Sequence, residues 1–182
     1  AAPKPLSMLH TVMPDAQLHN ARAIARFRRE ARAAAAASGE NVVRVIEDGI
    51  DEESGDLFIV MELLEGEDLQ QLIQRTGPLA PDLALRLVGQ ALRGLHKAHE
   101  AGIVHRDIKP SNLFLARRGG REMVVKILDF GVAKMMGESH ELAGVPALTT
   151  TGGFLGSPMF MSPEQVKSSK HVDRRSDIWA IG

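Results

Sequence analysis

Between Pro81 and Asn112 a long helical pattern passes directly into a polar loop, and this junction limits the chain's possible folds more than any other feature. Pro81 suits a first helical turn, because its φ is already helical and its missing N–H is one that such a position leaves unbonded. Leu85, Val88, Leu92, Leu95 and His99 then follow at spacings of 3, 4, 3 and 4, which predicts one apolar helix face. Gly102 supplies the stop. Beyond it, His105-Arg106-Asp107-Ile108-Lys109-Pro110-Ser111-Asn112 precedes two short strand patterns, Leu113 to Leu115 and Met123 to Leu128, around a turn at Arg117 to Arg121. A polar loop held between a helix and a hairpin is where reactive side chains tend to collect.

The rest of the chain is helix-rich, with a few short strands and no internal repeat. Ile24, Phe27 and Ala31 predict a helix from about Asn20 to Ala37, ending near Ser38-Gly39. Val42, Val43, Val45 and Ile46 form one strand pattern and Leu57 to Met61 a second, expected to pair antiparallel across the acidic stretch Asp48 to Asp56. A short helix is expected from Asp68 to Arg75. The 182 residues carry 44% hydrophobic and 25% charged side chains with a net charge of -1, the balance of a globular chain and not of a basic nucleic-acid binder. With no cysteine there is no disulfide framework, thiolate metal site or cysteine nucleophile. The uncharged stretch from Leu142 to Pro163 is broken by glycine and proline and is expected to be a loop, not a membrane span.

One strand after the polar loop comes Asp129-Phe130-Gly131. A lone Asp-Phe-Gly is weak, but His-Arg-Asp-x-Lys-x-x-Asn fixes five positions and arises by chance in about one chain in ten thousand of this size. The two motifs in this order resemble the catalytic loop and metal-binding turn of eukaryotic-type protein kinases, and Lys109 two places after Asp107 resembles the serine/threonine branch, in a bacterial style. The resemblance implies an α+β, two-lobed kinase-like fold. Residues 1–61 would belong to the small lobe, 62–68 to the hinge and 69–182 to the large lobe, with a catalytic loop at 105–112 and an activation segment at 129–164. The fold would be incomplete, lacking the glycine-rich loop and the later helices of the large lobe. A chain cut in this way is expected to be poorly soluble and weakly active or inactive.

Phosphoryl transfer depends on positioning and charge neutralisation more than on covalent help. Asp107 can accept or orient the substrate hydroxyl proton, and Lys109 can neutralise charge on the transferred group. Asn112 and Asp129 offer oxygen ligands suited to Mg2+ or Mn2+. Taken alone, such Asp and Asn residues are commonly loop caps. The resemblance further places Met61 as gatekeeper, backbone groups of Glu62 and Leu64 on the adenine edge, Asp68 near the ribose and Phe114 beneath the adenine. Glu30 would pair with a nucleotide-orienting lysine, for which Lys4 is the candidate, although Pro3 and Pro5 beside it are poor strand residues. As plain chemistry, Glu30 would be an i,i+4 partner of Arg26.

Arg106 resembles the arginine that receives a phosphorylated activation loop, with Thr149, Thr150 and Thr151 as phosphoacceptor candidates and Ser157 in the substrate-docking segment. His105 is expected to be a packing and backbone-bonding residue, and Asp177 to brace the catalytic loop from a buried helix. Glu164 is expected to lack a partner arginine. The implied function is transfer of the γ-phosphoryl of ATP to serine or threonine hydroxyls of a protein substrate, with neither nucleic acid nor membrane as partner. The location would be cytoplasmic, or the cytoplasmic part of a membrane-anchored parent. The alternative is a pseudokinase, a non-catalytic module that binds nucleotide or partners.

Overall fold

The computed structural model describes residues 9–12, 31, 34–51, 53, 57–120, 122–128, 158–167 and 172–182. Within them lie two three-stranded antiparallel sheets. The first consists of β1 (Leu9–Val12), β2 (Val45–Ile50) and β3 (Leu57–Met61) in the order β1-β3-β2. Its central strand carries Ile59, Val60 and Met61, all buried. The expected pairing of the second and third strands is present, with Val45 opposite Met61 and Ile50 opposite Leu57.

Three details of this sheet differ from expectation. Val42 and Val43 lie outside the strand, because Val43 N–H donates to Ile127 C=O at 3.0 Å and so ties this segment to the other sheet. The strand instead runs on through Gly49, part of the stretch expected to be a turn. Gly49 faces Phe58, and a Cβ there would lie 2.7 Å from the ring, so the glycine makes room for the aromatic across the pair. Strand β1, in a segment with no strand pattern of its own, is recruited by β3, with Leu9 opposite Met61 and Val12 opposite Phe58.

The second sheet has the order β4-β5-β6, from β4 (Gly66–Asp68), β5 (Leu113–Arg117) and β6 (Met123–Ile127). The hairpin of β5 and β6 matches its sequence pattern to within two residues. The three-residue β4 was not legible in the sequence. It depends on Gly66, at φ +153°, where a Cβ would lie 1.9 Å from Leu115 O.

Helix α1 (Leu69–Thr76) begins in a reciprocal capping box: Asp68 Oδ1 accepts from Gln71 N–H at 2.8 Å, and the Gln71 side chain accepts from Asp68 N–H at 3.2 Å. Helix α2 (Pro81–Glu100) has the expected start, and Gly102 follows at φ +76°. Its buried face matches the expected one at Leu95 and departs from it at Leu85 and Leu92, which are exposed. Leu87, Ala91, Gly94, Leu95 and Ala98 are buried, whereas Leu85 is 72% exposed. Close packing explains the difference, because a Cβ on Gly94 would lie 2.5 Å from Asn41 O and 2.8 Å from Ile127 Cδ1. The face chosen is the one with small residues, and the bulky leucines beside it are turned outward.

Helices α3 (Pro163–Lys167) and α4 (Arg174–Ile181) complete the described elements, α4 being capped by Asp173 Oδ1. Ala31 and residues 34–36 are helical, and the remainder of the helix expected from about Asn20 lies outside the described residues. Ala34, Ala37, Val42, Leu95, Ile108, Leu115, Val125 and Ile127 share one core, which lies directly beneath the polar loop.

Candidate active site

Residues 103–109 have no regular secondary structure, so the backbone groups of this loop must find partners elsewhere. Asp177 on α4, 1% exposed, supplies several of them. Its Oδ1 accepts from Arg106 N–H at 2.7 Å, and its Oδ2 accepts from His105 N–H at 2.9 Å and meets His99 Nε2 of α2 at 2.8 Å. The expected bracing role of Asp177 is therefore present in full. His105, 0% exposed, places Nε2 2.7 Å from Leu128 C=O and Nδ1 3.2 Å from Asp107 N–H. A carbonyl on one nitrogen and an N–H on the other require the neutral ring protonated at Nε2. His105 is thus the packing and backbone-bonding residue the sequence suggested.

Arg106 has φ +65°, the left-handed region that costs a non-glycine residue about 1–2 kcal/mol. The surrounding bonds hold the chain in that conformation, and it turns the next residue out of the core. That residue is Asp107. Its Oδ2 lies 2.9 Å from Lys109 Nζ and 3.2 Å from Asn112 Nδ2, and the same amide nitrogen donates to Asp107 C=O at 2.8 Å. Asn112 is buried in the one-turn helix Pro110–Asn112, which fixes its spacing from Asp107. The structure thus brings Asp107, Lys109 and Asn112 together. Asp107 Oδ1 has no partner among the described residues, so one carboxylate oxygen is held and the other remains available.

On the segment after β3, Glu62 N–H donates to Arg44 C=O at 3.0 Å, and the Glu62 carbonyl has no partner among the described residues. Its carboxylate points elsewhere: Oε1 accepts from Arg44 N–H at 2.9 Å and from Lys126 Nζ at 2.6 Å. Lys126 also donates to Val42 C=O at 3.3 Å, joining β6 to both ends of the segment that flanks β2. Leu64 is half-buried, and Phe114, half-buried on β5, pairs in register with Asp68. Asp68 spends Oδ1 on its helix cap.

The sequence profile described as the protein kinase domain matches residues 11–182. The chain belongs to the protein kinase domain family. Serine/threonine-protein kinase pkn3 of Myxococcus xanthus is 42% identical over 173 residues, covering 95% of this chain and 30% of its own length. Serine/threonine-protein kinase PknB of Mycobacterium leprae is 36% identical over 159 residues, covering 86% of this chain and 24% of its own length. The crystal structure of the Mycobacterium tuberculosis PknI kinase domain aligns with a TM-score of 0.67 at 25% identity, over 98% of this chain and 60% of that one. The α+β kinase fold is that of the solved relative. The chain spans less than a third of the length of these curated relatives.

Lys4, Glu30, Asp129, Thr149, Thr150, Thr151 and Ser157 lie outside the described residues of this kinase domain. Within them, sequence reasoning missed Lys126 and Gln165. Lys126 did leave a signal, since a lone charge in the apolar run Val124-Val125-Lys126-Ile127 calls for a buried partner, and Glu62 is that partner. Gln165 left none, because its partner is 59 residues away. Glu164 has found a hydroxyl in place of an arginine: Ser176 Oγ donates to its Oε1 at 2.6 Å, and this bond, with one from its own backbone, holds the carboxyl below its ordinary value of 4.5.

Proposed function

We propose that the protein of which this kinase domain is part transfers the γ-phosphoryl of ATP to serine or threonine hydroxyls of a protein substrate. The observation that carries this reading is Asp107, with one carboxylate oxygen fixed by Lys109 and Asn112 and the other without a partner among the described residues, on a loop whose backbone is held from the buried core. In the step, the substrate hydroxyl oxygen bonds to the γ-phosphorus while the bond to the β-phosphate oxygen breaks. The hydroxyl proton passes to Asp107, and ADP leaves. Lys109 beside the carboxylate offsets negative charge on the transferred group.

Mg2+ or Mn2+ fits the donor chemistry. Both hydrogens of the Asn112 amide are committed to Asp107, which leaves Oδ1 as an oxygen donor with no partner among the described residues. Asp129, outside the described residues, would be its companion. No group of three His, Cys, Asp or Glu side chains among the described residues offers a competing metal site. The metal's contribution would be neutralisation of phosphate charge. For the nucleotide, the Glu62 carbonyl, the Leu64 backbone and Phe114 form the adenine side and Asp68 the ribose side, with Lys4 and Glu30 assigned to the phosphates. Arg106 with Thr149, Thr150 and Thr151 would form the regulatory contact, and Ser157 part of substrate docking. No helix among the described residues is long and apolar enough to cross a membrane. A cytoplasmic location, free or attached to an anchored parent, rests instead on the need for ATP and on the lack of cysteine.

One observation favours the second reading, a module that binds nucleotide without transferring phosphate. The edge strand β1 that pairs with β3, Leu9-His10-Thr11-Val12, contains no lysine, and Lys4 lies five residues before it. The test is Asp107→Asn in the intact protein. Phosphoryl transfer to a serine/threonine peptide should fall by about 100-fold or more while Mg2+-dependent ATP binding persists. ATP binding without transfer in the wild-type protein would establish the second reading.

A further inference from the structure

We propose that Gln165 is a positioning residue for Asp107, acting through the single peptide plane that joins Arg106 to Asp107; the inference rests on the role given to Asp107 above. That plane carries two polar groups, the Arg106 carbonyl and the Asp107 N–H. The N–H is taken by His105 Nδ1 at 3.2 Å, and the carbonyl accepts from Gln165 Nε2 at 2.7 Å. Both ends of the plane are therefore held. Its tilt sets ψ of Arg106 and φ of Asp107, and with them the direction in which the Asp107 carboxylate leaves the chain. Because Arg106 is in the left-handed region, a released plane would relax toward ordinary backbone geometry.

Gln165 is itself oriented. Its Oε1 accepts from Ser162 N–H at 3.1 Å, which leaves its NH2 facing the loop. The Ser162 hydroxyl also lies 3.3 Å from Oε1, but its one proton goes to Ser176 Oγ at 2.9 Å, whose own proton goes to Glu164 Oε1 at 2.6 Å. Ser162 and Ser176 are both buried, and Ser176 adjoins Asp177 on α4. One helix thus holds the Arg106 N–H directly through Asp177, and the carbonyl of the same residue through Ser176, Ser162 and Gln165. Displacement of the segment around α3 would reach Asp107 through one amide.

Two substitutions separate this role from simple anchoring of α3. Gln165→Glu keeps an oxygen for Ser162 N–H and loses the donor to Arg106. Gln165→Lys keeps a donor of similar reach and loses the acceptor. In the intact protein, Gln165→Glu should lower kcat about 10-fold, with KM for ATP and the thermal midpoint close to wild type, and Gln165→Lys should retain most of the rate. The Asp107 amide, followed by NMR hydrogen exchange, should exchange about 10-fold faster in Gln165→Glu only. Full kcat and unchanged exchange in Gln165→Glu, or greater loss in Gln165→Lys, overturns the inference. A wild-type protein without phosphoryl transfer overturns the activity instead, and the exchange comparison then decides the role of Gln165 alone.

Discussion

Two irregular stretches carry candidate site residues, 103–109 and 62–65, and they are held by different physics. The first hangs mainly from buried groups: Asp177 and His105 take its backbone N–H groups, and the half-buried Gln165 takes a carbonyl. The second is fastened at its ends by two backbone bonds, Glu62 N–H to Arg44 C=O at 3.0 Å and Arg117 N–H to Glu65 C=O at 2.8 Å, and between them by one half-buried ion pair, with Lys126 15% and Glu62 21% exposed. Inside the protein an unmade hydrogen bond is expensive, because no water replaces it. Loss of the buried Asp177 therefore disrupts the first stretch badly, whereas loss of the half-buried Gln165 bond re-aims a single peptide plane. At the second, water reaches both partners and can replace what is lost. Under the proposed function, the loop that presents one carboxylate in one direction is built the first way, and the segment assigned to the adenine is built the second.

The largest test of this contrast is Asp177→Ala. It strands the His105 and Arg106 amides and removes the His99 partner, and should cost about 3–5 kcal/mol in urea unfolding, together with nearly all phosphoryl transfer. A loss under 1 kcal/mol would mean that the loop is held by packing alone and would erase the distinction.

Next comes Lys126→Met at the other stretch. Stability should fall by no more than about 1 kcal/mol, while KM for ATP rises by about two- to five-fold with kcat little changed. A fall in kcat at constant KM, measured in the same peptide assay, would show that the ion pair governs chemistry and not nucleotide seating.

The smallest effect concerns acid. Glu164 in the folded protein titrates below its ordinary 4.5, so its bond with Ser176 contributes stability that is complete above that value and is lost as pH falls through the lower, folded value. Melting curves between about pH 6 and about pH 3 should fall more steeply for wild type than for Ser176→Ala. Parallel curves would place the acid sensitivity elsewhere.

Much of this site could be read from residues alone. The spacing from Asp107 to Lys109 and Asn112 is local, and the one-turn helix after Pro110 converts it almost directly into a cluster, so motif and geometry agree. The hairpin of β5 and β6 and the start of α2 were similarly legible, since turn glycines and an N-terminal proline act on their immediate neighbours. Three features were not. The buried face of α2 was misjudged at Leu85 and Leu92 because hydrophobicity favours leucine, whereas close approach of Asn41 and Ile127 to Gly94 favours the small residues. Strand β1 was invisible, because a four-residue edge is selected by its partner and not by its own pattern. Gln165 looked like any exposed polar residue of a short helix.

By itself, then, the sequence determined which chemical groups share the polar loop, the helix that precedes it and the hairpin that follows. All of these are set by interactions within a few residues. Only the tertiary structure decided how that loop is held. Asp177, Gln165 and Lys126 meet partners 71, 59 and 64 residues away, and such meetings are governed by how the sheets and helices pack. The physical reason is that capping, turn geometry and short spacings fix local conformation, while a buried polar group gains its worth only once packing has removed the water around it.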